Sequence, residues 1–245
     1  MFDLGQGVAQ DFTEAVRWYK LSAAQENAKA QFNLGFSYNY GQGVAQDHAE
    51  ALRWYKLSAA QGNSNAQFNV GVMYDIGEGV SQNYVEAFRW YKLAAEQGMS
   101  KAQFNLGFSY NNGQGTAQNY AEALRWYKLS AAQGNPKAQY NLALMFDNGQ
   151  GITQDYAEAV RLYKLSAAQG YSNAQFNLAT KYYSGQGLLQ DFTKAHMWFN
   201  IAAVNGDKSA ASNRDVVANK MNSQQIGQAQ KLARECLDRN FKNCD

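Results

Sequence analysis

The chain repeats itself every 36 residues, and that period constrains its fold more than any other feature. The pattern opens at Ala30 and returns at Ala66, Ala102, Ala138 and Ala174. The copy from Ala66 to Lys101 shows it complete: AQFNVGVMYDIGEGVSQNYVEAFRWYKLAAEQGMSK. A unit this short cannot bury an apolar face by itself. It buries that face by stacking on its neighbours, which makes the chain a solenoid. The back part of another unit precedes Ala30, because Gly5, Gly7, Asp11, Glu14 and Trp18 fall in register.

Within one unit, Ala30, Leu34 and Tyr38 are spaced by four and share a helical face. Gly41-Gln42-Gly43 breaks that helix, and its first glycine suits the left-handed conformation that closes a helix end. Asp47 and Glu50 then have the spacing of a capping box, repeated as Asp11/Glu14, Asn83/Glu86, Asn119/Glu122 and Asp155/Glu158. The second helix carries Ala51, Trp54, Tyr55, Ser58 and Ala59 on one stripe and ends at Gly62. Each unit is thus expected to be two antiparallel helices. No strand pattern occurs, so the fold class is all-α. Trp18, Trp54, Trp90, Trp126 and Trp198 stand beside small residues and are expected in the core, each worth roughly 2–3 kcal/mol when buried.

The paired glycines resemble an anion-binding loop, but they recur in all six units without the further glycine or the Lys-Ser/Thr such a loop needs. They are turns. The row Asn33, Asn69, Asn105, Asn141 and Asn177 is open to two readings: a clamp for a bound peptide, or bonds within the fold. The structural reading is preferred, and for Gln31 and its counterparts as well.

The run A-Q-F-N-L-G-x-x-Y, followed by G-x-G-V-x-Q-D/N-Y-x-E-A-x-R-W-Y-K, resembles the Sel1-like repeat, a relative of the tetratricopeptide repeat. The resemblance covers nearly the whole chain. It implies a right-handed α/α superhelical solenoid whose first helices line a concave surface, and a C-terminal helix pair that caps it. It also implies an adaptor that binds a protein or peptide partner. Some bacterial relatives neutralise toxins, which leaves an immunity-type inhibitor as the alternative function.

Boundaries follow from the period: a partial unit over 1–29, units at 30–65, 66–101, 102–137, 138–173 and 174–206, and capping helices over 207–245. In the last unit Lys194 stands for the capping glutamate, His196 for an apolar residue, Met197 for the arginine and Asn200 for the lysine. Asn222 and Gln225 open the final helix as a capping box, with Ile226, Ala229, Ala233 and Cys236 on one face. That pair could cap the array or could itself hold a partner. Met1 aligns with the middle of a first helix, so the start of that unit is expected upstream. A signal peptide there would favour a periplasmic or secreted protein; otherwise a cytoplasmic one is expected.

With 22 basic and 20 acidic residues the net charge is +2, too balanced to argue for nucleic acid or an anionic membrane. Glutamates three residues before the arginines neutralise the second helices. No window of 18 apolar residues exists to form a transmembrane segment. The cysteines, Cys236 and Cys244, lie outside the repeats at a spacing that is neither a redox nor a zinc signature. They could form a disulfide if the chain reaches an oxidising compartment. His48 replaces a packing aromatic and His196 an aliphatic residue, and no nucleophile-and-base motif is present, so no catalytic residue, cofactor or metal ligand is nominated.

Where the units differ, the fold is not dictating the residue. Those places on the first helix are Phe36/Val72/Phe108/Leu144/Thr180, Ser37/Met73/Ser109/Met145/Lys181 and Tyr40/Ile76/Asn112/Asn148/Ser184. Apolar side chains at free positions suggest a recognition surface. The expected partner-binding set is Phe36, Tyr40, Val72, Ile76, Phe108 and Asn112, with Lys101 at the rim, flanked by Phe32, Phe68, Phe104, Tyr140 and Phe176. The protein is expected to act as a monomer. Copies two apart resemble each other more than neighbours do, as Phe36-Ser37-Tyr38-Asn39 returns at Phe108-Ser109-Tyr110-Asn111.

Overall fold

The structure is a computed structural model that describes residues 11–244. The half-helix expected at Met1 to Leu4 and the turn glycines Gly5 and Gly7 lie outside the described residues. The chain divides into two compact units, one ending at Asn119 and one beginning at Tyr120. The first contains α1 (Phe12–Ala23), α2 (Ala28–Tyr40), α3 (His48–Ala60), α4 (Ser64–Ile76), α5 (Tyr84–Glu96) and α6 (Ser100–Asn112). The second contains α7 (Tyr120–Ala132), α8 (Pro136–Asn148), α9 (Tyr156–Ala167), α10 (Ser172–Ser184), α11 (Phe192–Val204), α12 (Ala210–Ala218) and α13 (Ser223–Asp238). The described residues contain no strand. From α1 to α6 and from α7 to α12 each helix packs on the next, as stacking repeats require.

The two glycines of each turn do different work. Gly41, Gly77, Gly113, Gly149 and Gly185 end the first helices with φ between 67° and 76°, a conformation that a Cβ disfavours. The second glycine is needed for space as well. A Cβ on Gly43 would stand 2.1 Å from the carbonyl oxygen of Phe12, and one on Gly115 would stand 2.0 Å from that of Tyr84. The turn thus presses its backbone against the start of the second helix one repeat earlier.

The capping residues form only half of the expected box in the repeats. The Asp47 carboxylate accepts from the amides of Ala49 and Glu50, each at 3.0 Å. The amide that Glu50 was to receive is already taken, because Asp47 N–H donates to the Tyr38 carbonyl at 2.9 Å. Asn83 donates to Tyr74, and Asp155 to Phe146, in the same way. The glutamates turn instead to the arginines three residues on, as in Glu86–Arg89 at 2.8 Å. A complete box forms at Asn222 and Gln225, where no such carbonyl competes.

The core differs from expectation in which aromatic it uses. Tyr55, Tyr91, Tyr127 and Tyr163 are its largest fully buried side chains. The tryptophan one residue earlier is turned about 100° round the helix. Trp54 and Trp90 are half-buried, and Trp18 is 52% exposed on α1, which no described helix precedes. Trp126 and Trp198 are buried. The expectation of five core tryptophans holds for two of them.

In the C-terminal unit, α11 packs against both α12 and α13. Ala229, Ala233 and Cys236 are the buried residues of α13. A disulfide joins Cys236 to Cys244 across a Cα separation of 5.2 Å. The closed tail brings Phe241 beside Trp198 and Leu165 and close above Gly170.

Candidate protein-interaction face

The first helices of the N-terminal unit carry two rows of side chains at matching places in the repeat. Phe36, Val72 and Phe108 form one row on α2, α4 and α6; Tyr40, Ile76 and Asn112 form the other, one turn further along. Four of them are large, apolar and exposed: Phe36 at 38%, Tyr40 at 59%, Ile76 at 60% and Phe108 at 41%. Val72 is half-buried, and Lys101 is exposed as the second residue of α6. The rings of Phe36 and Tyr40 lie 4.5 Å apart and make one aromatic surface. Asn112 is exposed and donates to the carbonyl of Phe108 at 3.0 Å.

The row Ser37, Met73, Ser109, Met145 and Lys181 does not belong to this face. All five are buried. Asp75 accepts from the Tyr91 hydroxyl at 3.0 Å, and Asp147 accepts from Tyr163 at 3.0 Å. The corresponding Asn39 faces the His48 ring at 3.1 Å instead. The Tyr55 hydroxyl lies near Asn69 without reaching hydrogen-bond geometry. The repeats that carry aspartate here thus give the buried tyrosine hydroxyl a carboxylate partner. Burial, with Asp75 or Asp147 next in effect, pushes the Tyr91 and Tyr163 hydroxyls far above the usual tyrosine range.

Lys181, which variation between the copies placed among the candidates for a recognition surface, is instead a buried charge. Its ammonium is buried, pairs with Asp147 one repeat earlier, and donates to Gln186 at 3.0 Å. It also lies 4.7 Å from the centre of the Tyr156 ring. A lysine in a register otherwise held by serine or methionine was the available signal.

The other rows serve packing. Gln31 Nε2 donates to the Ala23 carbonyl at 3.4 Å while its oxygen accepts from Gln61 at 2.8 Å, and Gln67 with Gln97 repeats the arrangement. Asn177 donates to Tyr163 at 3.2 Å, and Asn141 to the Lys137 carbonyl at 2.9 Å. Phe32, Phe68, Tyr140 and Phe176 stack on Tyr55, Tyr91, Tyr163 and Phe199 at 5.2–6.0 Å between ring centres. Among the described residues no group of three His, Cys, Asp or Glu side chains is placed to hold a metal, and no helix is long and apolar enough to cross a membrane.

The Sel1 repeat family matches six times, at residues 1–27, 28–63, 64–99, 100–135, 136–171 and 172–207. The chain is a Sel1 repeat protein. Such repeats build helical scaffolds that mediate protein–protein interaction. Among solved structures, this Sel1 chain is similar to a Sel1 repeat protein from Oxalobacter formigenes, with 35% identity over 87% of this chain and 89% of that one and a TM-score of 0.74. It is also similar to c5321, described as a protective antigen of uropathogenic Escherichia coli, with 28% identity and a TM-score of 0.67. The match covers 100% of this chain but 60% of c5321. A Sel1 repeat protein from Klebsiella pneumoniae, 20% identical over 83% of this chain and 99% of its own with a TM-score of 0.51, shares the fold. No curated protein matches the chain.

Proposed function

We propose that this Sel1 protein is an adaptor that holds an extended segment of a partner protein across the first helices of its N-terminal unit. The observation that carries the reading is the pair of rows, with Phe36, Tyr40, Ile76 and Phe108 exposed where packing does not require them. Binding energy at such surfaces concentrates in a few aromatic anchors. Lys29 and Lys101, exposed at the same place on α2 and α6, favour a segment with acidic residues beside its apolar ones. The reading assigns no catalysis to the chain and no cofactor.

A photo-reactive residue placed at Ile76 should crosslink the partner, and the same residue at Leu93 on α5 should not. Tyr40→Ala with Phe108→Ala should weaken binding by about tenfold or more while leaving melting nearly unchanged. Crosslinking that favours Leu93, or binding that survives the double change, would show that another face is used. If the partner is an enzyme that loses activity in proportion to added protein, the chain is an inhibitor of the immunity type; unchanged activity supports the adaptor.

A further inference from the structure

The C-terminal unit contains a second candidate site, unrelated to the rows above. Three helices surround a cavity of about 430 Å³, each presenting residues four apart on one face. His196 and Asn200 come from α11, Arg214 and Ala218 from α12, and Ile226, Gln230 and Arg234 from α13. The residues from α11 are two of those at which the last repeat leaves the pattern. His196 stands where the earlier second helices have Val16, Leu52, Phe88, Leu124 and Val160; Asn200 stands where they have Lys20, Lys56, Lys92, Lys128 and Lys164.

The chemistry of the lining favours an anion of single charge. His196 is 3% exposed, and its Nδ1 is buried with no hydrogen-bond partner among the described residues. Burial and the Arg214 guanidinium hold this imidazole below its usual value, against the opposing effect of Asp215. Arg214 is fixed in place: one terminal nitrogen donates to Asn200 at 3.1 Å and the other to Asp215 at 2.8 Å. Arg234 is exposed at the mouth and has no ion pair among the described residues. Two guanidiniums against one carboxylate leave a single positive charge in excess. Ala218 and Ile226 add an apolar patch beside it.

We propose that this cavity binds a carboxylate group, with Arg234 pairing the charge, Arg214 and Gln230 orienting it, and a short apolar substituent resting on Ile226. A planar carboxylate matches the guanidinium fork, and its single charge matches the excess better than a phosphate dianion does. The carboxylate could belong to a small free acid or to the end of a peptide chain, and the experiment separates the two.

The intact protein is titrated with butyrate, with inorganic phosphate, and with a short valine-ended peptide carrying either a free or an amidated C-terminus. The readout is the nuclear magnetic resonance shift of the His196 ring protons. Butyrate should give a saturating one-to-one shift at millimolar concentration. Arg234→Gln should weaken it by about tenfold at an unchanged melting temperature, since that side chain is exposed. Tighter binding of the free-ended peptide than of butyrate, lost on amidation, assigns the source as a chain terminus; equal binding assigns a small acid. No saturable shift, a response that Arg234→Gln leaves intact, or tighter binding of phosphate than of butyrate would each overturn the proposal.

Discussion

The two units are built on one repeat and show different faces. Where the N-terminal unit exposes Phe36, Tyr40, Ile76 and Phe108, the C-terminal unit has Leu144, Asn148, Thr180 and Ser184. The C-terminal unit instead gathers its departures inward, at Lys181 and around His196. Their frameworks match: Tyr91 and Tyr163 accept the same buried role, and Gln31 with Gln61 is mirrored by Gln139 with Gln169. In a repeat protein the shared residues describe the scaffold. What the copies do not share is where a specific role must be sought.

The strongest test of that division removes residues 207–245. Ile201 and Ala202 of α11 are fully buried, and α11 packs on α12 and α13. Their loss should leave an apolar face that drives aggregation, read by light scattering. A soluble, fully helical monomer would mean that α12 and α13 are an appendage.

Next comes the framework itself. Tyr91→Ala should cost about 3–5 kcal/mol in chemical denaturation, because a fully buried ring leaves a cavity. Trp18→Ala should cost under about 1 kcal/mol, since half of that side chain already meets solvent. Equal losses would break the assignment of tyrosine as the core aromatic.

A buried ion pair gives an effect of similar or smaller size. Lys181→Met leaves the Asp147 carboxylate, among the described residues, with only the Tyr163 hydroxyl for company, at a cost of about 3 kcal/mol. Adding Asp147→Asn should recover most of that loss. Failure of the second change to rescue the first would show that the pair is not what Lys181 contributes.

The smallest expected effect is one of pH. The His196 imidazole is held below its usual 6.5 by burial and by Arg214, so the unfolded chain binds this proton more readily. That group's contribution is fully present above pH 6.5 and is lost as pH falls through the lower folded value. His196→Leu, which restores the residue type of the earlier repeats, should flatten this part of the stability profile. A profile that stays the same would locate the acid sensitivity elsewhere.

The helices, their closing glycines and the family were legible because they depend on spacing alone. The exposed apolar rows were legible in part. Comparing copies found Phe36, Tyr40, Ile76 and Phe108, but it also selected Ser37 and Met73, since a position can vary inside the core as freely as outside when its partner varies too. The half-formed capping boxes were hidden for another reason: the Asp47 amide is taken by Tyr38, a contact between two helices. Choosing tyrosine over its tryptophan neighbour required the rotation of the second helix. The cavity around His196 needs three helices to exist at all, so sequence showed its odd residues without showing that they meet.

The hydrogen bonds that tie the second helix of a repeat back to the start of its first share a single reach. Ser58 donates to the Ala28 carbonyl, Gln61 to Gln31, Ser166 to Pro136 and Gln169 to Gln139, and each spans 30 residues. The entropy of closing such a loop is then the same in each of these helix pairs, and none requires distant parts of the chain to find each other. A helix pair can close as soon as its own second helix has left the ribosome, so the array can assemble in step with its own synthesis.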